Sequence, residues 1–192
     1  MGPIILLSKS LSVERVQKKL EMIVHKNKVL KLAIIPTAHR ELKSHSRGSR
    51  EAYSFFHDKM KLQTSFVDLD EQPPLQDFDA YYFTGGDPVY LMNSIKERGY
   101  FNFFKEEFNK GKTFLGNSAG AAIFGTSLEH IPFFAPEYLH KDSPLPQTLS
   151  FINHTVLPHA NNYSNEILSY NDKYPEYNLL SIRDGEYDLI ES

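Results

Sequence analysis

Short apolar runs recur along the chain, and each stops at a turn-forming residue. "PIILLS" (3–8), "LKLAIIPTA" (30–38) and "TFLGNS" (113–118) are continuous enough to predict strands buried on both faces, and "SFVDL" and "AYYFTGG" predict two more. Between these runs the apolar residues change to helical spacing. "VERVQKKLEMIV" puts Val13, Val16, Leu20 and Ile23 on one face, and "GSREAYSFFHDKMKL" does the same with Ala52, Phe55, Phe56 and Met60. The order β-α-β-α-β predicts right-handed crossovers and an open, doubly wound α/β fold, a mostly parallel sheet with helices on both faces. Ligands bind such sheets at the carboxyl ends of the strands, here Ser8, Thr37 to His39, Gly85 to Asp87 and Ser118.

Beyond Ser118 the pattern changes. "LEHIPFFAPEYLHKDSPLPQT" is proline-rich with no clear period and predicts a long ordered loop of the kind that borders a site. "LSFINHTVLPHA" resumes strand character, and "NNYSNEILSYNDKYPEY" predicts a helix and loop. "NLLSIRDGEYDLIES" predicts a hairpin turning at Asp184-Gly185. At 192 residues and 41% hydrophobic, the chain is expected to be one domain over 1–192.

Charge and cysteine content narrow the chemistry. The net charge is −3 and the 21 Lys and Arg are scattered, which argues against a nucleic-acid partner. No run approaches the ~20 apolar residues of a membrane span, and "PIILLS" is shorter than a signal-peptide core, so a soluble cytoplasmic protein without a membrane partner is expected. With no cysteine there is no disulfide, thiol nucleophile or cysteine-ligated zinc, so any nucleophile is an oxygen or nitrogen. The sequence leaves homo-oligomerisation open.

Gly116-Asn117-Ser118-Ala119-Gly120 has the G-x-S-x-G pattern of a nucleophile elbow. A serine on a tight strand-to-helix turn leaves no room for neighbouring side chains, and the backbone N–H groups that follow face the reacting carbonyl. A predicted strand precedes it and the small residues "SAGAA" follow, favouring a nucleophile over a packing turn. In "YYFTGGDPVYLM", Asp87-Pro88 suits a helix N-cap and first turn, leaving bare amides at Gly85-Gly86. With the Ala119 N–H these could bind an oxyanion, or they could simply belong to a well-capped turn. For a base, His159 follows Val156-Leu157-Pro158 at a strand end and reaches the Ser118 edge if that strand runs parallel to the others. His154 lies inside the strand, where packing is expected. Glu129, Glu137, Asp142 and Glu166 are all candidates for the acid that orients the imidazole, and spacing does not choose among them.

Four segments together, "PIILLSKS", "FTGGDPVYLM", "LGNSAGAAIFG" and "VLPHANN", resemble the dipeptidase E family of serine peptidases, aspartyl dipeptidases related in fold to class I glutamine amidotransferases. The resemblance spans nearly the whole chain. It implies Ser118 as nucleophile, His159 as base, Gly85-Gly86 as oxyanion donors, and small peptides, dipeptides above all and including Asp-X, as substrates. No metal or organic cofactor is implied. The family's Asn-Thr after the glycine pair is replaced here by Asp87-Pro88, which implies a carboxylate near the site and one backbone donor fewer. Where the family often has an Asp after the nucleophile helix, this chain has His130, making Glu129 the nearest acid, and "HANNYSNEIL" after the histidine has no Arg or Lys. Related chains usually continue through another strand or two after the stretch resembling "SIRDGEYDLIES", so an incomplete last sheet edge is expected. The same residues would also suit an esterase, or an impaired relative that binds small molecules or peptides.

Overall fold

The computed structural model describes residues 1–72, 75, 78–139 and 144–191. Its strands are β1 (Ile4–Ser8), β2 (Lys31–Ile35), β3 (Gln63–Phe66), β4 (Ala80–Phe83), β5 (Thr113–Asn117), β6 (Thr155–Pro158), β7 (Leu179–Ile182) and β8 (Glu186–Ile190). The helices are α1 (Glu14–Lys26), α2 (Arg47–Tyr53), α3 (Pro88–Glu97), α4 (Tyr100–Asn109), α5 (Ala119–Ala122), α6 (Ile131–Phe134) and α7 (Ser164–Lys173). Six strands form one sheet in the order β3-β2-β4-β5-β1-β8, parallel except for β8, which runs antiparallel on β1; β6 and β7 form a separate parallel pair.

The continuous apolar runs are explained by burial on both faces. Successive residues of a strand point to opposite sides of the sheet. Ile5, Leu7, Leu32, Ile34, Tyr82 and Leu115 pack with Val16, Leu20 and Ile23 of α1 and with Ala52 and Phe56. Their neighbours Ile4, Leu6, Ala33, Ile35, Tyr81, Phe83 and Phe114 pack with Leu91, Met92 and Ile95 of α3, Phe104 of α4 and Ala121 of α5. The fold is therefore α/β with helices on both faces of a mostly parallel sheet. Among the described residues, no helix is long and apolar enough to cross a membrane.

Three expectations are corrected. The stretch after Ser118 is not all loop: α6 and the 3-10 turn Pro136–Tyr138 form within it, because Pro132 fits a first helical turn and Ile131 and Phe134 have a core to enter. The chain does turn at Asp184-Gly185, with Gly185 at φ 81°, but β7 and β8 do not pair as a hairpin. β8 instead satisfies the edge of β1, with Ser8 opposite Glu186 and Ile4 opposite Ile190, while β7 pairs with β6. Finally, the strand carrying His159 lies outside the main sheet.

Candidate active site

Ser118 joins β5 to α5 with φ 54° and ψ −114°, a conformation L-residues rarely adopt. Its N–H donates to Leu7 O (2.9 Å), and the Gly120 N–H donates to Thr84 O (3.2 Å), fixing the turn against β1 and the end of β4. Both glycines of G-x-S-x-G are required by close backbone approach. A Cβ on Gly116 would lie 2.3 Å from Gly120 O, and one on Gly120 would lie 2.3 Å from Phe83 O. The strained turn is thus held by contacts that a side chain would destroy.

At the end of β6, His159 adopts the left-handed conformation (φ 58°, ψ 31°), which turns the chain out of the strand. Its Nε2 lies 2.8 Å from Ser118 Oγ and its Nδ1 2.5 Å from Asp184 Oδ1. An ionised carboxylate only accepts, so the pair with Asp184 assigns the proton to Nδ1 and leaves the Nε2 lone pair for the Ser118 hydroxyl proton.

Asp184 occupies the turn between β7 and β8, anchored through its N–H to Asn161 Oδ1 (2.9 Å). Ser8, fully buried at the end of β1, ties His159 and Asp184 together. Its Oγ donates to Asp184 Oδ1 (2.8 Å) and accepts the His159 N–H (3.0 Å). Lys9 Nζ stands 3.3 Å from Asp184 Oδ2. Burial pushes the Asp184 carboxyl up, but hydrogen bonds from His159 and Ser8, with the charges of His159 and Lys9, together hold it below the usual carboxylate range.

The structure puts Asp184, not Glu129, against His159. Glu129 is solvent-exposed, its charge acts on Tyr170 and Tyr177, and its N–H donates to Ser127 Oγ at 3.4 Å. The physical reason is the turn into α6, which sends the adjacent His130 inward to 1% exposure and leaves Glu129 outside. Glu166 is exposed on the first turn of α7, and Glu137 borders the cavity beside Ser118. Asp142 lies outside the described residues. His154 precedes β6, and its carbonyl accepts the Thr126 N–H (2.8 Å). Sequence reasoning missed Asp184 because Asp-Gly carries a strong turn signal. The available clue was its position just past a strand end, where site residues gather.

Gly85 abuts Ser118: a Cβ there would sit 3.2 Å from Ser118 Cβ. Gly86 has φ 141° and a Cβ on it would lie 2.2 Å from Ala38 O, so only glycine fits. Gly86 and Ala119 border the same cavity as Ser118 and His159, and among the described residues neither N–H has an acceptor. Asp87 departs from its expected place in the substrate site. Its carboxylate caps α3 by accepting the Tyr90 N–H (2.9 Å) and pairs with Arg40 (2.8 Å), while its own N–H donates to Ala38 O (2.8 Å). The cap explains the orientation: an N-cap Asp ahead of a first-turn Pro turns its carboxylate back onto the helix amides.

Two hollows flank the serine and histidine. One, of about 170 Å³, is bordered by Gly86, Ala119, Ile131, Phe134 and Leu157; the other, of about 770 Å³, by Lys9, His39, Arg47, Tyr82, Asn117 and Asp184. Among the described residues, no group of three or more His, Asp or Glu could hold a metal ion.

Comparison with known proteins finds similarity to chains named as peptidases. An uncharacterized peptidase of Listeria monocytogenes serovar 1/2a is 30% identical over 84 residues, covering 44% of this chain and 41% of that protein. One of Listeria innocua serovar 6a is 32% identical over 89 residues, covering 44% and 40%. The matched stretch thus spans about two fifths of the length of these two relatives. An uncharacterized peptidase of Pasteurella multocida is 24% identical over 143 residues, covering 69% of this chain and 66% of its own. Among solved structures, a candidate peptidase E protein from Listeria monocytogenes EGD-e superposes with a TM-score of 0.74 at 22% identity, covering 99% of this chain and 94% of that one. A peptidase from an acI-B1 Actinobacterium superposes with a TM-score of 0.71 at 17% identity, covering 100% and 84%. Both show the same fold. The model of peptidase family S51 matches residues 4–191, nearly end to end, and the chain belongs to that family.

Proposed function

We propose that this chain is a serine peptidase of the cytoplasm that hydrolyses dipeptides or short peptides through an acyl-enzyme. The observation that carries the reading is the continuous relay from Ser118 Oγ through His159 to Asp184, with hydrogen-bond distances of 2.8 and 2.5 Å. Family membership supports the class of reaction.

In this reading Ser118 Oγ attacks the peptide carbonyl carbon as its proton passes to His159 Nε2. Asp184 keeps the imidazole in the required tautomer and stabilises the cation that forms. The Gly86 and Ala119 N–H groups receive the developing oxyanion, preorganised because the chain around them has no other use for them. As the tetrahedral intermediate collapses, His159 returns the proton to the leaving amine. Water then attacks the Ser118 ester, giving its proton to the same nitrogen, and the released acid leaves a free serine. Ser118→Ala tests the proposal: peptide hydrolysis is expected to disappear, and an undiminished rate would refute the assignment.

A further inference from the structure

The smaller hollow beside Ser118 has a chemistry of its own. Ala122, Ile131, Phe134 and Leu157 give it apolar walls, and Tyr138, Asn162 and Tyr163 add polar groups to its lining. Phe134 packs against Tyr163 and Tyr170 with ring centroids 5.1 and 5.0 Å apart, so the wall is braced. Its volume, about 170 Å³, suits one large apolar side chain, since an apolar cavity of about 150 Å³ holds benzene. Glu137 brings a carboxylate to its border.

We propose that this hollow receives the side chain of the substrate's N-terminal residue and selects uncharged apolar residues of Leu, Met or Phe size, with Glu137 taking the α-ammonium group. This rests on Ser118 being the nucleophile, which fixes the scissile carbonyl beside the hollow. The larger hollow on the Asn117 and Asp184 side takes the remainder of the peptide.

Charge decides against an acidic N-terminal residue. A carboxylate moved into apolar surroundings needs a cation to offset its lost hydration. Lys9 is the one Lys or Arg bordering the hollow among the described residues, and its ammonium already faces Asp184 Oδ2 at 3.3 Å. His130 also borders the hollow, but burial brings its pKa down to about 4, so it is neutral at pH 7 and supplies no positive charge. Glu137 would repel a second carboxylate while attracting an ammonium. An apolar side chain, by contrast, meets matching walls and leaves the ammonium to Glu137.

Calorimetric titration of the Ser118→Ala protein with Leu-Ala, Met-Ala, Phe-Ala, Asp-Ala and N-acetyl-Leu-Ala reads this preference without turnover. The three apolar dipeptides are expected to bind at least about tenfold more tightly than Asp-Ala. Adding Glu137→Gln should weaken Leu-Ala by about tenfold and leave N-acetyl-Leu-Ala unchanged, a tenfold change corresponding to 1.4 kcal/mol. Equal or tighter binding of Asp-Ala, no binding of any dipeptide, or indifference of Leu-Ala to Glu137→Gln would each overturn the proposal. Failure of a fluorophosphonate to label Ser118 in the wild-type protein would instead sink the peptidase reading, so the two failures are distinguishable.

Discussion

Asp184 Oδ1 lies 2.5 Å from His159 Nδ1, in the turn that carries the chain from the β6–β7 pair to the main sheet. His159 ends β6, and Asp184 stands where the chain leaves β7, the partner of β6, to join β1 as β8. A hairpin would have kept β7 and β8 together. Their separation opens the corner in which Asp184, His159 and Ser8 meet.

The acid can therefore be tested against its rival. Asp184→Asn preserves the shape but can donate to Nδ1 and so favours the wrong tautomer, and kcat is expected to fall by about 10³- to 10⁴-fold. Glu129→Gln should leave kcat within about twofold, as expected for an exposed side chain away from the site. Steady-state kinetics on the two variants decide it.

Ser8 is a positioning residue, and its hydroxyl serves both partners at once. Ser8→Ala leaves the His159 N–H without its acceptor and removes a donor from Asp184, which is expected to cost about 1–3 kcal/mol of stability. Because Asp184 loses one of the bonds that hold its carboxyl low, its pKa should rise toward the ordinary value. Urea unfolding reads the first effect and carboxyl NMR titration the second.

The two glycines of the elbow predict opposite behaviour from a glycine elsewhere. Gly120→Ala drives a Cβ to within 2.3 Å of Phe83 O and is expected to destabilise by about 1–3 kcal/mol or more. Gly48 in α2 has nothing within 4 Å of its missing Cβ, so Gly48→Ala should stabilise by up to about 1 kcal/mol. Denaturant midpoints of the two variants should move in opposite directions.

His130 gives the fold a pH dependence. It is buried with no partner for Nδ1 among the described residues, and burial lowers its pKa from 6.5 to about 4. Between those values the unfolded chain binds a proton that the folded one refuses, so stability falls as pH drops from about 6.5 to about 4. The loss is on the order of 3 kcal/mol. Urea unfolding of the wild type and His130→Gln across this window should show the slope only in the wild type, taken as the difference between the two.

The strands and the tight turn at Ser118 were legible because each is local. Continuous apolar runs encode strands buried on both faces, and Gly116 and Gly120 record backbone contacts made within one turn and with the neighbouring strand. His159 was legible from Pro158 and the end of its strand, although that strand lies outside the main sheet. Asp184 was hidden because its local signal, Asp before Gly, describes the turn equally well whether the flanking strands pair or part. Only long-range pairing, β8 with β1 and β7 with β6, separates those cases. Glu129 misled for the complementary reason: proximity to Ser118 along the chain says nothing about which way the turn into α6 points a side chain.

The most direct test of the account is fluorophosphonate labelling of the wild-type protein at neutral pH, with the modified residue located by mass spectrometry. The Ser118, His159 and Asp184 geometry predicts rapid, single-site modification at Ser118, strongly slowed in His159→Ala and Asp184→Asn. Modification elsewhere, or labelling of Ser118 at the same rate in both variants, would contradict it.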